Sequence, residues 1–219
     1  MKGTKINVYG IQGSGKTWCV ANYLIPSFQN PIIYGVHPSD YIQAKGIILN
    51  PKNLSTDELD RNCELIKEKA IKGECDCFVL DEADMFLGNS IESIKKYPHL
   101  YDLIINHRHY KKGYPFIDDK NLSGLAVIFI TRRPQSIPTE VTESSEYYFV
   151  YAIAGENVKR KLINIHSGFR ELLPFLKKDE HNFIFYRVGD NPKLYSSIRL
   201  VTKEEAKEGE NENGKNTKQ

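Results

Sequence analysis

The sequence GIQGSGKT, at residues 10–17, constrains the fold of this 219-residue chain more than any other feature. It matches the pattern G-x-x-x-x-G-K-[ST] in full, follows the apolar stretch KINVYG at residues 5–10, and precedes a helical pattern at residues 16–28. A strand, a glycine-rich turn and a helix in this order bind phosphate, because the glycines let backbone N–H groups converge and the positive end of the helix dipole adds to them. The motif therefore predicts a strand–loop–helix unit that holds a nucleoside triphosphate.

The residues of this loop have distinct expected roles. Lys16 is expected to reach the β and γ oxygens of the triphosphate, and the Thr17 hydroxyl is expected to hold Mg²⁺. Backbone N–H groups from Gly13 to Thr17 are expected to surround the phosphates. The predicted nucleotide-binding residues are Gly10, Gln12, Gly13, Ser14, Gly15, Lys16, Thr17 and Trp18. The expected ligand is ATP with Mg²⁺.

A second acidic site separates an ATPase from other phosphate-binding proteins. The apolar run CFVL at residues 77–80 ends in Asp81 and Glu82. Parallel sheets bind ligands at the carboxyl ends of their strands, so both carboxylates are expected beside the phosphates. Asp81 is expected to hold Mg²⁺ through water, and Glu82 to orient and deprotonate the attacking water. Glu82 favours an ATPase over a small-molecule kinase, and the absence of an Asn-Lys-x-Asp motif disfavours a GTPase.

Apolar strands alternate with helical patterns along residues 1–201, which predicts a single α/β domain with a mostly parallel central sheet flanked by helices. This is the organisation of a RecA-like P-loop NTPase. The run LAVIFIT at residues 125–131 is typical of a strand covered on both faces, and the run YYFVYAI at residues 147–153 repeats this pattern. The pattern of residues 169–178 predicts a helix. The turn GDNP at residues 189–192 predicts a C-terminal antiparallel strand pair.

Composition excludes several classes of protein. Hydrophobic residues make up 40% of the chain and charged residues 26%, as in soluble globular proteins. No run approaches the roughly 18 apolar residues of a membrane span, and the first residues do not resemble a secretory leader, so a cytoplasmic protein is expected. The four cysteines lack C-x-x-C spacing, which disfavours a zinc site, and Cys19 and Cys77 are expected to be packed thiols. Residues 202–219, with five Glu and four Lys, are expected to form a disordered charged tail.

Three further segments carry a family resemblance. They are ITRRP at residues 130–134, Ile137-Pro138, and EYYFV at residues 146–150. Together with the two phosphate-site motifs, they resemble the FtsK-HerA superfamily of DNA-pumping ATPases over residues 5–151. Within that superfamily the short chain looks most like the genome-packaging ATPases of membrane-containing icosahedral viruses, including archaeal ones.

The resemblance implies an ATP-hydrolysing motor that forms a homo-oligomeric ring, a hexamer or a pentamer. Such a motor translocates double-stranded DNA through non-specific phosphate contacts and packages a viral genome into a capsid. It implies a location in the host cytoplasm or on the virion, and docking to a capsid or portal protein. The alternative is a morphogenesis or secretion ATPase of the zonular-occludens-toxin type, which acts on protein assembly; such proteins normally carry a membrane span.

The tip of the strand at residues 125–131 supplies one further candidate. Thr131 is expected to contact the γ-phosphate or the attacking water. In the family a glutamine normally follows this position, whereas Arg132 follows it here.

The stretch NHRHYKKG at residues 106–113 matches the family's Ala-Arg-His-x-Gly segment. The match implies that Arg108 is an arginine finger that reaches the γ-phosphate of a neighbouring subunit, and Arg132 and Arg133 are the rival candidates. An insertion then precedes the next strand, and Lys111 and Lys112 at its start are candidate DNA contacts that line a central channel. The alternative is that this insertion is a surface loop with no role in binding DNA.

Overall fold

The computed structural model describes residues 3–110 and 124–196. The candidate DNA contacts Lys111 and Lys112 lie outside the described residues, and so does the predicted tail at 202–219. These assignments stay predictions.

The described residues form one eight-stranded sheet in the order β3-β2-β4-β5-β1-β6-β7-β8. The first six strands in this order are parallel, and β7 and β8 continue the sheet in antiparallel pairing. The predicted α/β fold with a C-terminal antiparallel pair is confirmed. The strands are β1 Lys5–Tyr9, β2 Pro31–Tyr34, β3 Ile47–Leu49, β4 Cys77–Leu80, β5 Ala126–Thr131, β6 Tyr147–Val150, β7 Phe183–Arg187 and β8 Lys193–Tyr195.

Seven α-helices lie within residues 3–110 and 124–196. They are α1 Lys16–Cys19, α2 Thr56–Lys72, α3 Ile91–Lys95, α4 Pro98–Asn106, α5 Thr139–Glu143, α6 Glu156–Ile165 and α7 Phe169–Leu172. The helix that follows the glycine-rich loop continues past α1 as a π-helical stretch at Val20–Leu24 and a 3₁₀ turn at Ile25–Ser27, close to the predicted end. No helix in the described part of the chain has both the length and the apolar character needed to cross a membrane.

Both faces of the central strands are buried, as the continuous apolar runs predict. In β5, Val127 and Phe129 join the core on the face covered by α2, α4 and α6, whereas Ala126, Ile128 and Ile130 join the core beneath the helix that begins at α1. All five side chains are at most 1% exposed. Burying such aliphatic and aromatic side chains stabilises the fold by about 1.5–3 kcal/mol each. The packed sheet thus provides a rigid support for the loops at its edges.

The predicted helix over residues 169–178 is wrong in its second half. The α-helix α7 ends at Leu172, and a single 3₁₀ turn at Leu173–Phe175 follows. Pro174 lacks the backbone N–H that a continued helix needs. Residues 176–182 instead form a loop that leads into β7. The predicted strand over 147–153 is also shorter, because β6 ends at Val150.

His107, directly after α4, makes the stability of the fold sensitive to pH. Its ring is 1% exposed and its Nδ1 lies 2.8 Å from the Leu125 carbonyl oxygen. Burial lowers the pKa of His107 to about 4, from an ordinary value of 6.5. As the pH falls below about 6.5 the unfolded chain binds a proton at His107, whereas the folded chain does so only near pH 4. The stability that the neutral ring contributes is therefore present above pH 6.5 and is lost as the pH falls.

We expect the free energy of unfolding to decrease by up to about 1.4 kcal/mol per pH unit from this residue between pH 6 and pH 4. His107→Asn keeps a donor near the Leu125 carbonyl and removes the titration, so its unfolding free energy is expected to vary less with pH in that window. Urea unfolding at pH 7, 6, 5 and 4 measures this difference. Parallel pH profiles for the two proteins would contradict it.

Candidate nucleotide-binding site

The glycine-rich loop at residues 10–15 joins β1 to α1. Gly13 and Gly15 have φ angles of 74° and 99°, in the left-handed region that side chains disfavour. Gly10 is required for space, because a Cβ there would lie 2.6 Å from Ser14 Oγ and 2.7 Å from Tyr151 Cβ. The loop is closed by a hydrogen bond of 3.3 Å from Ser14 N–H to the Ile11 carbonyl. This backbone has the shape that the motif predicts.

Lys16 is the first residue of α1, and its side chain turns back to the glycine-rich loop. The residue is 7% exposed, and its ammonium donates a hydrogen bond of 2.9 Å to the Ile11 carbonyl. Burial lowers the pKa of Lys16, and the nearby carboxylates of Glu82 and Asp81 oppose that effect. The lysine is therefore brought together with both predicted acids at one edge of the sheet.

Asp81 follows β4 and is 4% exposed. Its Oδ2 accepts a hydrogen bond of 2.9 Å from the Tyr41 hydroxyl, and its Oδ1 accepts one of 2.8 Å from the Glu82 N–H. Burial raises the pKa of Asp81, and these two hydrogen bonds oppose the rise. The carboxylate is held in one position by partners on both oxygens.

Tyr41 also lies near the other predicted metal ligand. It is fully buried in the 3₁₀ turn Pro38–Tyr41, and the Thr17 side chain lies close enough to influence the pKa of its hydroxyl. The Tyr41 hydroxyl is thus hydrogen-bonded to the Asp81 carboxylate and lies near Thr17. Asp81 and Thr17 both carry oxygen ligands of the kind that Mg²⁺ prefers, so the residues present fit a magnesium ion.

Glu82 has an unusual backbone and a cationic partner. Its φ of 51° is in the left-handed region, which costs a residue other than glycine about 1–3 kcal/mol. Its Oε2 lies 2.8 Å from Arg132 Nε. Arg132, a rival arginine finger in the sequence analysis, therefore lies in the nucleotide site of its own chain.

Thr131 ends β5, the strand beside β1, and is fully buried. Its Oγ1 donates a hydrogen bond of 2.6 Å to Asp84 Oδ1 and accepts one of 3.0 Å from the Arg133 N–H. The tip of β5 is thus linked to the segment that follows β4. The Arg133 side chain is exposed.

Arg108 lies at the amino ends of the strands, whereas the phosphate loop lies at their carboxyl ends. It is in the 3₁₀ turn His107–His109, forms an ion pair with Glu146, and donates to the Ser144 carbonyl at 3.4 Å. Glu146 accepts a hydrogen bond from the Lys5 N–H at the amino end of β1. The phosphate loop follows the carboxyl end of this five-residue strand, so the two sites are separated by roughly 15 Å. Arg108 does not reach the phosphate loop of its own chain.

Two contacts to this site were not predicted from the sequence. Tyr41 approaches Asp81 from 40 residues away, and no local pattern indicates such a contact. Lys178 was placed at the end of a predicted helix, whereas it lies beside Gly13, with its Cε 3.0 Å from the position that a Gly13 Cβ would take.

The mostly parallel sheet, the glycine-rich loop after β1 and the acids after β4 together form a P-loop NTPase fold. The chain is similar to the genome packaging NTPase B204 from Sulfolobus turreted icosahedral virus 2, solved in complex with ATP-gammaS. The TM-score is 0.70 at 16% sequence identity, over 90% of this chain and 98% of that chain.

Two other solved structures share the fold. The conjugation coupling protein TcpA of pCW3 has a TM-score of 0.58 at 13% identity, over 92% of this chain and 62% of that one. EssC (ATPases 2 and 3) from Geobacillus thermodenitrificans has a TM-score of 0.52 at 12% identity, over 94% of this chain and 42% of that one. No protein-family model and no curated protein sequence matches the chain. The fold implied by the family resemblance is confirmed.

Proposed function

We propose that this protein is an ATPase motor that hydrolyses Mg-ATP and uses the energy to translocate double-stranded DNA, packaging a viral genome. One observation carries the ATPase assignment: Lys16 in the glycine-rich loop lies within electrostatic reach of Asp81 and Glu82. The DNA cargo is supported by the overall similarity to B204, a genome packaging NTPase.

The triphosphate binds in the glycine-rich loop. Backbone N–H groups from Gly13 to Thr17 donate to its oxygens, and Lys16 exchanges the Ile11 carbonyl for a phosphate oxygen. Thr17 and Asp81 hold Mg²⁺, which neutralises phosphate charge when it is bound. Tyr41 orients Asp81 through its hydrogen bond and lies near Thr17.

Glu82 accepts the proton of the attacking water. In the structure its carboxylate is paired with Arg132, so it must turn away from the guanidinium, or share it, before it can serve as a base. The Thr131–Asp84 hydrogen bond joins the tip of β5 to the short segment that also carries Glu82. We infer that binding of the γ-phosphate at Thr131 changes this hydrogen bond and thereby the position of Glu82.

A ring of several copies completes the site. Arg108 is too far from the loop of its own chain, yet it is 37% exposed and lines an open cleft of about 730 Å³. A neighbouring subunit that placed its nucleotide against this cleft would receive the guanidinium at its γ-phosphate. A planar cation supplied in this way neutralises charge that develops during hydrolysis and makes turnover depend on assembly.

Tyr41→Phe tests the proposed magnesium site. Because the hydroxyl holds Asp81 in position and lies near Thr17, its loss is expected to raise the Mg²⁺ concentration needed for half-maximal ATP binding by about tenfold, as outer-shell substitutions commonly do. ATP binding in excess EDTA is expected to stay unchanged. The single tryptophan of the chain, Trp18, follows Thr17 and is 42% exposed, so its fluorescence reports binding directly.

Tyr34→Phe is the matched control, because Tyr34 is a buried tyrosine whose hydroxyl has no hydrogen-bond partner among the described residues. It should leave the Mg²⁺ titration as in the wild type. Equal Mg²⁺ requirements for the Tyr41 variant and the wild type would contradict the role given to Tyr41.

A further inference from the structure

The loop at residues 176–182, between α7 and β7, lies against the glycine-rich loop. A Cβ built on Gly13 would lie 3.0 Å from Lys178 Cε and 3.5 Å from Lys178 Nζ. A Cβ built on Gly15 would lie 3.4 Å from His181 Nδ1. Two nitrogen-bearing side chains from a distant part of the sequence therefore lie beside Gly13 and Gly15 of the phosphate loop.

Asn182 fixes the shape of this second loop. The residue is 9% exposed; its Oδ1 accepts from the Lys177 N–H at 2.8 Å, and its Nδ2 donates to the Phe175 carbonyl at 2.8 Å. The φ angle of 49° at His181 turns the chain back towards Gly15. These contacts close the loop on itself, so Lys178 and His181 are presented to the phosphate loop by a defined backbone.

The two adjacent lysines of this loop differ in charge pairing. Lys177 Nζ lies 2.6 Å from Glu180 Oε1, so its charge is matched. Lys178 Nζ makes no ion pair or hydrogen bond with another residue within 3–110 and 124–196. The unmatched ammonium is therefore the one that lies beside the phosphate loop.

We propose that Lys178 is a second phosphate-binding cation of the nucleotide site, contacting the β or γ oxygens of the triphosphate in addition to Lys16. This inference rests on the proposed ATP binding and names an additional residue for it. An ammonium on a flexible four-carbon stem suits this role, because it can turn a few ångströms towards an arriving anion. The N–H of Gly13 is expected to donate to the distal phosphates, so Lys178 acts on the polyphosphate part and not on the base.

The chemistry predicts which nucleotides are affected. ATP and ADP carry the distal charges that Lys178 would contact, whereas AMP lacks them. Lys178→Ala is expected to weaken ATP binding by about tenfold, as for loss of a hydrogen bond to a charged group, and to leave AMP binding unchanged. Lys178→Arg keeps the charge and is expected to bind ATP within about twofold of the wild type.

The test is a Trp18 fluorescence titration with ATP and with AMP, at fixed Mg²⁺. Lys177→Ala is the matched control, since it removes a neighbouring exposed lysine of the same loop whose charge is already paired. The expected result is a weaker ATP Kd for the Lys178→Ala protein alone, with an unchanged melting temperature. If the two alanine variants bind ATP equally, or if AMP weakens as much as ATP, the inference is overturned while the proposed ATPase function stands. A wild type that binds no ATP overturns both.

Discussion

Glu82→Gln is expected to lower the kcat for ATP hydrolysis by about 10³-fold, as for removal of a general base. The ATP Kd is expected to stay within about twofold of the wild type, because glutamine keeps the size of the side chain and an oxygen that can accept from Arg132. Removing the carboxylate of a buried, electrostatically coupled site normally perturbs binding as well. In the proposed site Lys16, Thr17 and Asp81 hold the nucleotide and its metal without Glu82, so binding and hydrolysis are expected to separate.

Single-turnover hydrolysis and Trp18 fluorescence measure the two effects independently. Glu92→Gln is a suitable control, since Glu92 is an exposed carboxylate of α3 whose partner is Lys95 on the same helix. That variant should match the wild type in both assays. A Glu82→Gln protein that retains more than about a tenth of wild-type kcat would place the base elsewhere.

Arg108→Ala is expected to lower kcat by about 10³-fold or more, the range observed for arginine fingers. Arg108 is too far from the phosphate loop of its own chain to act there. It can therefore act only on the nucleotide of a neighbouring subunit. The ATP Kd of the isolated subunit is expected to be unchanged. The substitution also breaks the ion pair with Glu146, and a structural effect must therefore be separated from a catalytic one.

Glu146→Gln provides that separation. It removes the charge that pairs with Arg108 and keeps an oxygen for the Lys5 N–H, so the guanidinium remains and is less restrained. Turnover by this variant is expected to equal or exceed that of the wild type. A loss as large as that of Arg108→Ala would mean that the ion pair supports the fold and that Arg108 has no catalytic role.

Mixing variants tests whether Arg108 acts between subunits. Neither Arg108→Ala nor Lys16→Ala is expected to turn over alone. In a random equal mixture, about a quarter of the interfaces join an intact phosphate loop to an intact arginine, so partial activity should return. Arg132 lies beside Glu82 in its own chain, and a defect in Arg132→Ala is therefore expected not to recover in the same mixture. If turnover returned for Arg132→Ala and not for Arg108→Ala, Arg132 would be the arginine that acts between subunits.

Much of the fold was predictable because its elements are marked by local patterns. Continuous apolar runs mark the buried parallel strands, and the order of strand, glycine-rich loop and helix marks the phosphate loop. The polar residues Asp81 and Thr131 each end such a run, and the parallel sheet brings them to one edge. Thr131 lies beside the phosphate loop because β5 pairs in parallel with β1.

Other features depend on contacts that leave no local pattern. The Tyr41–Asp81 hydrogen bond requires a 3₁₀ turn after β2 to cover the end of β4, and the sequence of that turn is ordinary. The Arg132–Glu82 pair joins residues 50 positions apart, and the left-handed backbone of Glu82 is uncommon for a glutamate. Lys178 lies beside the phosphate loop because the helix before it ends early, at Leu172. Pro174 follows that end, but the apolar pattern of residues 169–178 still predicts a continuous helix.

ATPase turnover, measured with and without double-stranded DNA over a range of protein concentrations, tests the proposed motor most directly. The account predicts that DNA raises turnover, that added salt reverses the stimulation because the contacts are to phosphates, and that turnover per subunit rises with protein concentration as rings assemble. Turnover that is independent of both DNA and protein concentration would contradict a ring motor acting on DNA.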